Sequence, residues 1–429
     1  MQKPRKIKFN QDVMTGNVKV PWYGIFICGI GALFYCYEFV LRILPGALQT
    51  ELSLAFGHIS AATFGGLSSL YYMAYSPMQM PVGMLMDRFG PRKLLSLACL
   101  CCAFGSFLFG CYGSLWLAGI GRFMVGFGSS FAFVGVLSLA MNWLPQRYFS
   151  LAAGLMTTLG MLGLIYGEMK MTSLAASMGL THTLWTMVIL GFVLTLVIFL
   201  FVRDGQSKHD SAQPLPNFFK EVWLVLTSPE VWKIGFIGTC LYTSLSVFGE
   251  LWGKNYLHHA YHLSKIESAQ MLTAVFLGWA IGAPLSGYIS DKMTSRIKPL
   301  MIGAVLSLLC IGLVLYGHGW SKSMLYALLF FYGLFSAVEI TVFAMAREHT
   351  TVSLSGTVFA ATNMIVALGG MIYQPVVGLI LDWSAASHWD GGVHDYTVVD
   401  YQWALSILPA SLLLVVFLTP FFSQQQYKK

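Results

Sequence analysis

Long apolar blocks alternate with short polar segments along the whole chain. Each block has roughly 20 residues, the length that a helix needs to cross about 30 Å of hydrocarbon. A helix bonds its backbone groups within its own segment, as lipid requires, and the blocks lack the alternation of a membrane β-strand. The pattern predicts an all-α integral membrane protein with twelve spans. The predicted spans are residues 21–45, 61–86, 93–112, 115–143, 149–171, 181–202, 231–256, 267–290, 298–317, 323–346, 353–381 and 403–422.

A polar stretch that contains Pro214, Pro216 and Pro229 separates the first six predicted spans from the last six. This division predicts two six-helix bundles joined by one loop. The predicted organisation is a tail at 1–20, a bundle at 21–202, an inter-bundle loop at 203–230, a second bundle at 231–422 and a tail at 423–429.

The composition excludes a soluble fold. Hydrophobic residues make up 56% of the chain, charged residues only 10%, and the mean hydropathy is +0.68, whereas a soluble domain carries about 25% charged residues. All eight cysteines fall inside apolar blocks. Because none has the spacing of zinc ligands or of a disulfide framework, we interpret them as small apolar packing residues. The first apolar block is longer than the core of a signal peptide, and we expect it to remain as a span.

Lysine and arginine are concentrated in one set of predicted loops, which predicts that these loops and both termini are cytoplasmic. The net charge of +7 reflects this asymmetry. The basic residues are scattered over short segments, which argues against a nucleic-acid-binding patch. The compact length and short loops favour a bacterial inner membrane. The basic loops hold Lys3, Arg5, Lys6, Lys8, Lys19, Arg88, Arg92, Lys93, Arg147, Arg203, Lys208, Lys220, Lys292, Arg296, Lys298, Arg347, Lys428 and Lys429, and the opposite loops hold Lys170, Lys254, Lys265 and Lys322.

Two similar segments lie about half the chain apart. PVGMLMDRFGPRKLL follows the second predicted span, and PLSGYISDKMTSRIKPL follows the eighth. Each places a glycine four residues before an aspartate, as Gly83 with Asp87 and Gly287 with Asp291, and each continues with basic residues. A duplicated six-helix unit explains the spacing, and many transporters are built from such repeats.

The first of these segments resembles the loop signature G-x-x-x-D-R-x-G-R-K of the major facilitator superfamily. The second copy resembles it in degenerate form, and Arg122, Gly126 and Gly128 in GRFMVGFGSS resemble the R-x-x-x-G-x-G pattern of the same superfamily. The resemblance implies twelve helices in two pseudo-symmetric bundles that alternate access. It also implies that the first loop stabilises the outward-facing state. The residues of this predicted gating motif are Gly83, Asp87, Arg88, Gly90, Arg92, Lys93, Gly287 and Asp291.

The chemistry of the motif allows two interpretations. Gly83 permits close approach of a neighbouring helix, and Asp87 at a helix end can cap a helix or pair with an arginine. Such a cluster can latch two bundles together. Alternatively, the basic residues only hold the loop on the cytoplasmic side.

Glu38 and Arg42 lie inside the first predicted span, although a charge inside a membrane costs at least about 2.5 kcal/mol. They are four residues apart and share a helix face with Tyr35, so they can pair. Arg122 and Glu250 lie at similar depths in spans that line the central cavity of the superfamily, as the resemblance implies. We predict that these charges converge on one polar site. The alternative for the first two is a structural pair that only orients the helix.

Other polar residues in the spans extend this site. An arginine can hold a carboxylate or phosphate, and a carboxylate in a low-dielectric cavity can load and unload a proton. Glu250 and Lys254 can instead form a pair at the rim. The predicted substrate-binding residues are Tyr35, Glu38, Arg42, Arg122, Glu250, Tyr71, Tyr75 and Glu339. The predicted proton-coupling residues are Glu38, Arg122 and Glu168, the last with Lys170 nearby. The outer-loop histidines His258, His259, His262, His388 and His394 close no metal-ligand set and are expected to be solvated.

The sequence predicts a secondary active transporter. It contains no G-x-x-x-x-G-K-[ST] loop of an ATP-driven pump and no clustered catalytic set of an enzyme. The mixed charges favour a small charged solute, such as an organic anion, an amino acid or a short peptide, moved by proton-coupled symport. The alternatives are a proton-driven exporter of drugs or siderophores and a sensor that has kept a transporter fold. We expect no cofactor, the proton gradient as energy source, and a monomer in the lipid bilayer whose partners are its substrate and protons.

Overall fold

The computed structural model describes residues 22–111, 113–145, 148–204, 215–293, 295–350, 354–386 and 396–421. Both predicted tails, residues 1–20 and 423–429, lie outside these residues. Part of the predicted inter-bundle loop also lies outside them, as do Arg147, Lys208, His388 and His394. Within the described ranges the secondary structure is helical and contains no strand.

Seven helices form the first half of the chain. They are α1 (Trp22–Ala47), α2 (Gln49–Ala55), α3 (Ala61–Phe89), α4 (Pro91–Phe109), α5 (Leu115–Ser129), α6 (Ala132–Trp143) and α7 (Phe149–Phe201). The second half contains α8 (Leu215–Leu226), α9 (Pro229–Thr243), α10 (Gly253–Ala260), α11 (Lys265–Lys292), α12 (Ile297–Tyr316), α13 (Lys322–Ser336), α14 (Thr341–Glu348), α15 (Ser355–Ala385), α16 (Val398–Leu405) and α17 (Ile407–Leu418). A π-helix (Ser244–Trp252) joins α9 to α10, and 3₁₀ turns follow α13 (Ala337–Ile340) and α17 (Thr419–Phe421).

The helices fit the predicted twelve spans. Among the described residues, ten helical segments are long and apolar enough to cross a membrane. One of them covers Leu151–Phe201, and it breaks at Gly179, whose φ of 80° lies outside the helical region, so it supplies two spans. α3 is not among the ten, although it has 29 residues, because tyrosine, serine, glutamine and two prolines lower its hydropathy. The predicted inter-bundle loop is partly helical, since it contains α8.

Corresponding helices cross in the same way in the two halves. A β-carbon at Gly126 of α5 would lie 2.0 Å from the carbonyl oxygen of Tyr71 in α3. A β-carbon at Gly333 of α13 would lie 2.0 Å from the carbonyl oxygen of Val275 in α11. Because only glycine permits such close backbone contact, the matching positions support the duplicated unit that the repeated glycine–aspartate segment predicts.

The two halves pack through α3 on α15, α7 on α11 and α1 on the π-helix. We call the side where α1 ends and α3 begins the far side, and the side where α1 begins the connector side. On the far side, Asp382 of α15 accepts hydrogen bonds from the backbone N–H groups of Ala61 and Ala62, both at 3.0 Å. The carboxylate of one half thus caps a helix of the other half. Lys265 and Glu51 add an ion pair at 2.7 Å, so the far side is closed.

Polar contacts between the halves are fewer towards the connector side. On that side, the described residues form a hydrogen bond between side chains of the two halves, from Asn363 Nδ2 to Gln79 Oε1 at 2.9 Å. A β-carbon at Gly83 or Gly287 would meet no atom within 4 Å. The close helix approach predicted at Gly83 is therefore absent in this conformation, because the halves meet on the far side instead.

Neighbouring glycines of α3 test the far-side contact. A β-carbon at Gly65 would lie 2.5 Å from the carbonyl oxygen of Gln374, whereas one at Gly66 would have no atom within 4 Å. Because overpacking a close contact costs about 1–3 kcal/mol, we expect Gly65→Val to lower the thermal unfolding midpoint of the purified protein by several degrees. Gly66→Val makes the same change in helix propensity at a position without this contact, and it serves as the control. An equal decrease in both variants would contradict the contact.

Candidate functional site

Glu38 and Arg42 are buried in the middle of the molecule on adjacent turns of α1. Their side chains are 1% and 5% exposed. Arg42 Nη2 lies 3.4 Å from both carboxylate oxygens of Glu38, which is long for a charge-assisted hydrogen bond of about 2.7–2.9 Å. The predicted pair is therefore present, but it leaves the guanidinium only weakly bound to its carboxylate.

Tyrosines supply the other partners of Arg42. Arg42 Nε donates to the hydroxyl of Tyr71 in α3 at 3.0 Å, and Nη1 donates to the hydroxyl of Tyr242 in α9 at 3.2 Å. The Tyr71 hydroxyl in turn donates to Glu38 Oε2 at 3.2 Å. The guanidinium also lies over the rings of Phe39 and Tyr75, 4.4 and 5.0 Å from their centroids, a geometry that stabilises a cation. Arg42 thus joins side chains from both halves.

Glu250 approaches the same cluster from the second half. It lies in the π-helix, is 2% exposed, and accepts a hydrogen bond from the hydroxyl of Tyr72. The Tyr72 ring meets Tyr71 edge-on, with centroids 5.2 Å apart. Glu250 Oε1 has no hydrogen-bond partner among the described residues. Glu250 also interacts electrostatically with Glu38 and Arg42. The structure therefore places these three of the four charges of the predicted polar site near one another.

The alternative rim pair of Glu250 and Lys254 is wrong. Lys254 is 3% exposed, and its ammonium donates to the carbonyl oxygen of Ala47 at the end of α1. The π-helix that carries Glu250 bonds residue i to i+5. Four residues therefore no longer complete one turn, and the two side chains point to different partners.

Arg122 donates its hydrogen bonds to backbone carbonyl oxygens, and its guanidinium also lies over the ring of Tyr71, 4.8 Å from the centroid. Its Nη1 and Nη2 donate to the carbonyl oxygens of Leu41 and Arg42, both at 2.7 Å, and its Nε donates to that of Ser68 at 3.4 Å. Pro45 lies four residues after Leu41 and has no N–H, so the Leu41 carbonyl lacks its helical donor. This arrangement favours a positioning role for Arg122, which holds the turn of α1 that presents Arg42, over the predicted contact with substrate.

The remaining predicted site residues occupy different surroundings. The Tyr35 ring packs against Phe39 at 4.8 Å, next to the cluster. Glu339 lies in the 3₁₀ turn after α13, is 3% exposed, and interacts electrostatically with Tyr242. No described residue donates a hydrogen bond to its carboxylate. Glu339 therefore borders the cluster without joining its hydrogen bonds.

Glu168 lies away from the cluster, in the first part of α7. It is 1% exposed, and both carboxylate oxygens are buried without a hydrogen-bond partner among the described residues. The predicted neighbour Lys170 instead lies over the ring of Tyr166, 5.5 Å from its centroid. The charge that interacts with Glu168 is Lys254 of the second half.

The first copy of the predicted gating motif does not join the two bundles in this conformation. Asp87 is exposed and pairs with no described residue, and Arg88 and Lys93 are also exposed. Arg92 donates through its guanidinium to the carbonyl oxygen of Phe199 at 2.9 Å and through its backbone N–H to Asp204 at 2.9 Å. The role of Asp87 as a latch stays a prediction for the conformation in which the connector side closes.

The turn between α3 and α4 requires glycine. Gly90 has a φ of 80°, and a β-carbon there would lie 2.7 Å from Asp204 Oδ1. In the second copy of the motif, Asp291 pairs with Arg296 at 2.6 Å, and Arg296 also pairs with Glu348 at 2.9 Å. The second copy is therefore tied to the end of α14 within its own half.

Sequence reasoning missed several partners. Tyr72 and Tyr242 hold Glu250 and Arg42, and Asp382 and Asp204 cap helices. The crowding of tyrosines in α3 was a signal for Tyr72. Nothing in the local sequence marks Tyr242, because one hydroxyl inside an apolar span has no distinctive pattern.

A separate cavity of about 730 Å³ lies on the far side. It is lined by His258, His259, His262, Leu263, Ser264, Glu267, Tyr396, Thr397 and Val398. Over the described ranges, no group of histidine, cysteine or acidic residues is arranged to hold a metal ion.

Comparisons with known proteins agree with this architecture. The family model of the Major Facilitator Superfamily matches residues 25–373. The chain is 23% identical to a probable sulfoacetate transporter of Cupriavidus necator over 65% of this chain and 68% of that protein. It is 24% identical to a lysosomal dipeptide transporter of Danio rerio over 83% and 80%.

The fold also matches a solved structure. A bacterial homologue of the human lysosomal transporter Spinster, in an inward-facing and occupied conformation, superposes with a TM-score of 0.73 at 16% identity. The match covers 94% of this chain and 97% of that chain. This similarity supports the fold of the whole described helical region.

The positioning role of Arg122 can be tested by measuring the thermal stability of the protein without any ligand. Lysine cannot reproduce the three hydrogen bonds to Leu41, Arg42 and Ser68, and a buried polar group left without a partner costs about 1–3 kcal/mol. We expect Arg122→Lys to lower the thermal unfolding midpoint in detergent. Arg88→Lys, at an exposed position, should leave it unchanged. A wild-type midpoint in Arg122→Lys would show that α1 does not depend on these bonds.

Proposed function

Because this chain belongs to the Major Facilitator Superfamily, we propose that it is a secondary transporter that moves a small anionic or zwitterionic solute by alternating access. The observation that carries the proposal is the position of Arg42. This buried guanidinium lies where the two halves meet, and it contacts tyrosines from both halves. A solute bound there would contact both bundles, which is what a substrate must do to be carried between their two arrangements.

The chemistry of Arg42 favours an anionic group. A guanidinium binds a carboxylate or sulfonate best through two parallel hydrogen bonds. Its present contacts with Glu38 are long, at 3.4 Å, so an incoming anion competes with a weak partner. The hydroxyls of Tyr71 and Tyr242 can remain beside the anion, because a hydroxyl both donates and accepts.

The balance of charge in the cluster favours proton symport. When both carboxylates are ionised, Glu38 and Glu250 balance the positive charges of Arg42 and Arg122, and all four groups are buried. An anion that enters this neutral set adds an uncompensated charge in a low-dielectric site, which is costly. Uptake of one proton by Glu38 or Glu250 restores neutrality. We therefore propose that the proton gradient drives the carrier and that no further cofactor is needed.

The relatives support this substrate class. A probable sulfoacetate transporter and a dipeptide transporter are among them, and both solutes carry an anionic group. A drug or siderophore exporter is the competing proposal, and it would not need the guanidinium of Arg42.

The membrane orientation belongs to the same proposal. Basic loops on the connector side favour a cytoplasmic position for that side and for both termini, in a bacterial inner membrane and as a monomer. In this orientation the far side is periplasmic, and its closure corresponds to an inward-facing arrangement. Asp87 would then pair only when the connector side closes.

A panel of ligands tests the substrate class. We expect sulfoacetate, D-galactonate or a dipeptide to raise the thermal unfolding midpoint of the purified protein, since a ligand that binds only the folded state stabilises it. The neutral sugar D-galactose should not. Arg42→Lys should abolish the shift because lysine lacks the planar fork, whereas the exposed Arg203→Lys should retain it. Stabilisation only by apolar drugs or iron chelators, equally in Arg42→Lys, would favour the exporter instead.

A second experiment tests the coupling. In proteoliposomes, we expect uptake of the stabilising anion to accelerate when the outside is acidified. Glu38→Gln should lose this acceleration but keep exchange of labelled for unlabelled anion, since exchange needs no net proton movement. Glu230→Gln removes an exposed surface carboxylate and is the control. Full acceleration in Glu38→Gln would remove Glu38 from the coupling step.

A further inference from the structure

Gln79 of α3 and Asn363 of α15 join the two halves through their side-chain amides, and we call them the amide pair. Asn363 Nδ2 donates to Gln79 Oε1 at 2.9 Å. Gln79 is buried, with 8% of its surface exposed, and Asn363 is half-buried. Because α3 runs from the far side to the connector side, the amide pair lies between the Arg42 cluster and the connector side. The proposed anion site at Arg42 uses neither amide.

The face of α3 that contacts Arg42 continues to the amide pair. Tyr71, Tyr75 and Gln79 follow one another at intervals of four residues, which places them on one helix face. The rings of Tyr71 and Tyr75 stack with centroids 5.5 Å apart. The Tyr75 ring lies 5.0 Å from the guanidinium of Arg42, and its side chain also interacts with Asn363. One turn of α3, about 6 Å long, therefore leads from the ring beside the guanidinium to the amide pair.

The amide pair keeps one acceptor and one donor for a further group. No described residue donates a hydrogen bond to Asn363 Oδ1. Over the described ranges, Gln79 Nε2 donates to the carbonyl oxygen of Tyr75 at 3.5 Å, beyond the usual range of about 2.7–3.2 Å. A side-chain amide has two donor hydrogens and an acceptor oxygen, and leaving buried amide groups poorly bonded is costly. A solute can therefore donate to Asn363 Oδ1 and accept from Gln79 Nε2.

The absence of charge on the amide pair determines which group fits between the two side chains. An ammonium has no acceptor for the N–H of Gln79, and a carboxylate has no donor for Asn363 Oδ1. A hydroxyl or an amide both donates and accepts. Such a neutral group also leaves the charge balance of the Arg42 cluster unchanged. The proposed uptake of one proton with each anion then still restores neutrality.

We infer that Gln79 and Asn363 are specificity residues, which bind a neutral hydroxyl or amide of the solute whose anionic group binds Arg42. The inference rests on the proposed function and narrows its substrate class to carboxylates that carry such a group. The two groups of the solute are separated by a distance on the order of 6 Å, the length of the helix turn between their binding positions. Because the amide pair combines one side chain from each half, the solute contacts both halves at both of its ends.

Four carboxylates of the same chain length test this inference. They differ at the end remote from the carboxylate, which is a methyl group in heptanoate, a hydroxyl in 6-hydroxyhexanoate, an amide in adipamate and an ammonium in 6-aminohexanoate. Binding to the full chain in lipid nanodiscs is measured by isothermal titration calorimetry. We expect the hydroxyl or the amide ligand to bind about tenfold more tightly than heptanoate, and the ammonium ligand to gain nothing. The tighter of the first two identifies the source of the neutral group.

Two variants remove the amides and keep a side chain of similar volume. Asn363→Leu and Gln79→Met should each bring the tenfold ratio close to one and leave the affinity for heptanoate unchanged. Asn217→Leu and Gln270→Met make the same changes at exposed positions and should keep the wild-type ratio. An equal loss for all four ligands in Asn363→Leu would assign a purely structural role to the amide pair and overturn the inference. A wild type that prefers the methyl or the ammonium ligand would also overturn it.

Arg42→Lys separates this inference from the proposed function. All four ligands share the carboxylate, so this variant should weaken their binding to the same extent. Undiminished binding in Arg42→Lys would count against the proposed anion site, whereas the ratio between the ligands in Asn363→Leu still reports on the amide pair. If D-galactonate stabilises the wild type and none of the four ligands binds, the inference is overturned and the anion site stands.

Discussion

The cost of placing a guanidinium inside a membrane-spanning bundle governs this structure. Arg42 has to be surrounded by groups that replace water, and they come from several elements: Glu38 and Phe39 on α1, Tyr71 on α3, and Tyr242 on α9. Because these groups belong to both halves of the chain, the solvation of one side chain holds the two bundles in a defined relation. Any movement between the bundles must exchange some of these contacts.

A second set of interactions shapes α1 around this charge. Pro45 leaves the carbonyl of Leu41 without its helical donor, and Arg122 supplies a donor from α5. The far end of α1 is held in the same way, since Lys254 binds the carbonyl of Ala47. In both places a buried cation donates a hydrogen bond to a backbone carbonyl that has no donor within α1. Neither the cation nor the carbonyl is therefore left without a partner in an apolar environment.

The same electrostatics connects structure with transport. In the proposed mechanism, the buried charges of Arg42, Arg122, Glu38 and Glu250 would accept an anion most easily together with a proton. This effect follows from the low dielectric around buried charges that the two bundles share. The family supplies the movement, and the residues of this chain determine which charges that movement brings together or separates.

The sequence by itself determined the helical membrane class, the division into two repeated halves and the presence of Glu38 and Arg42 in one span. These features depend on local length, composition and spacing, which apolar blocks and a four-residue interval report directly. Only the tertiary structure decided that Tyr242 and Tyr72 complete the site, that Arg122 binds backbone, and that Lys254 faces Ala47 rather than Glu250. Most of these contacts join residues far apart in the chain, and the last depends on the register of a π-helix, so no local pattern specifies them. The sequence also does not predict which side of the protein is closed, because one sequence must permit both arrangements of a transporter.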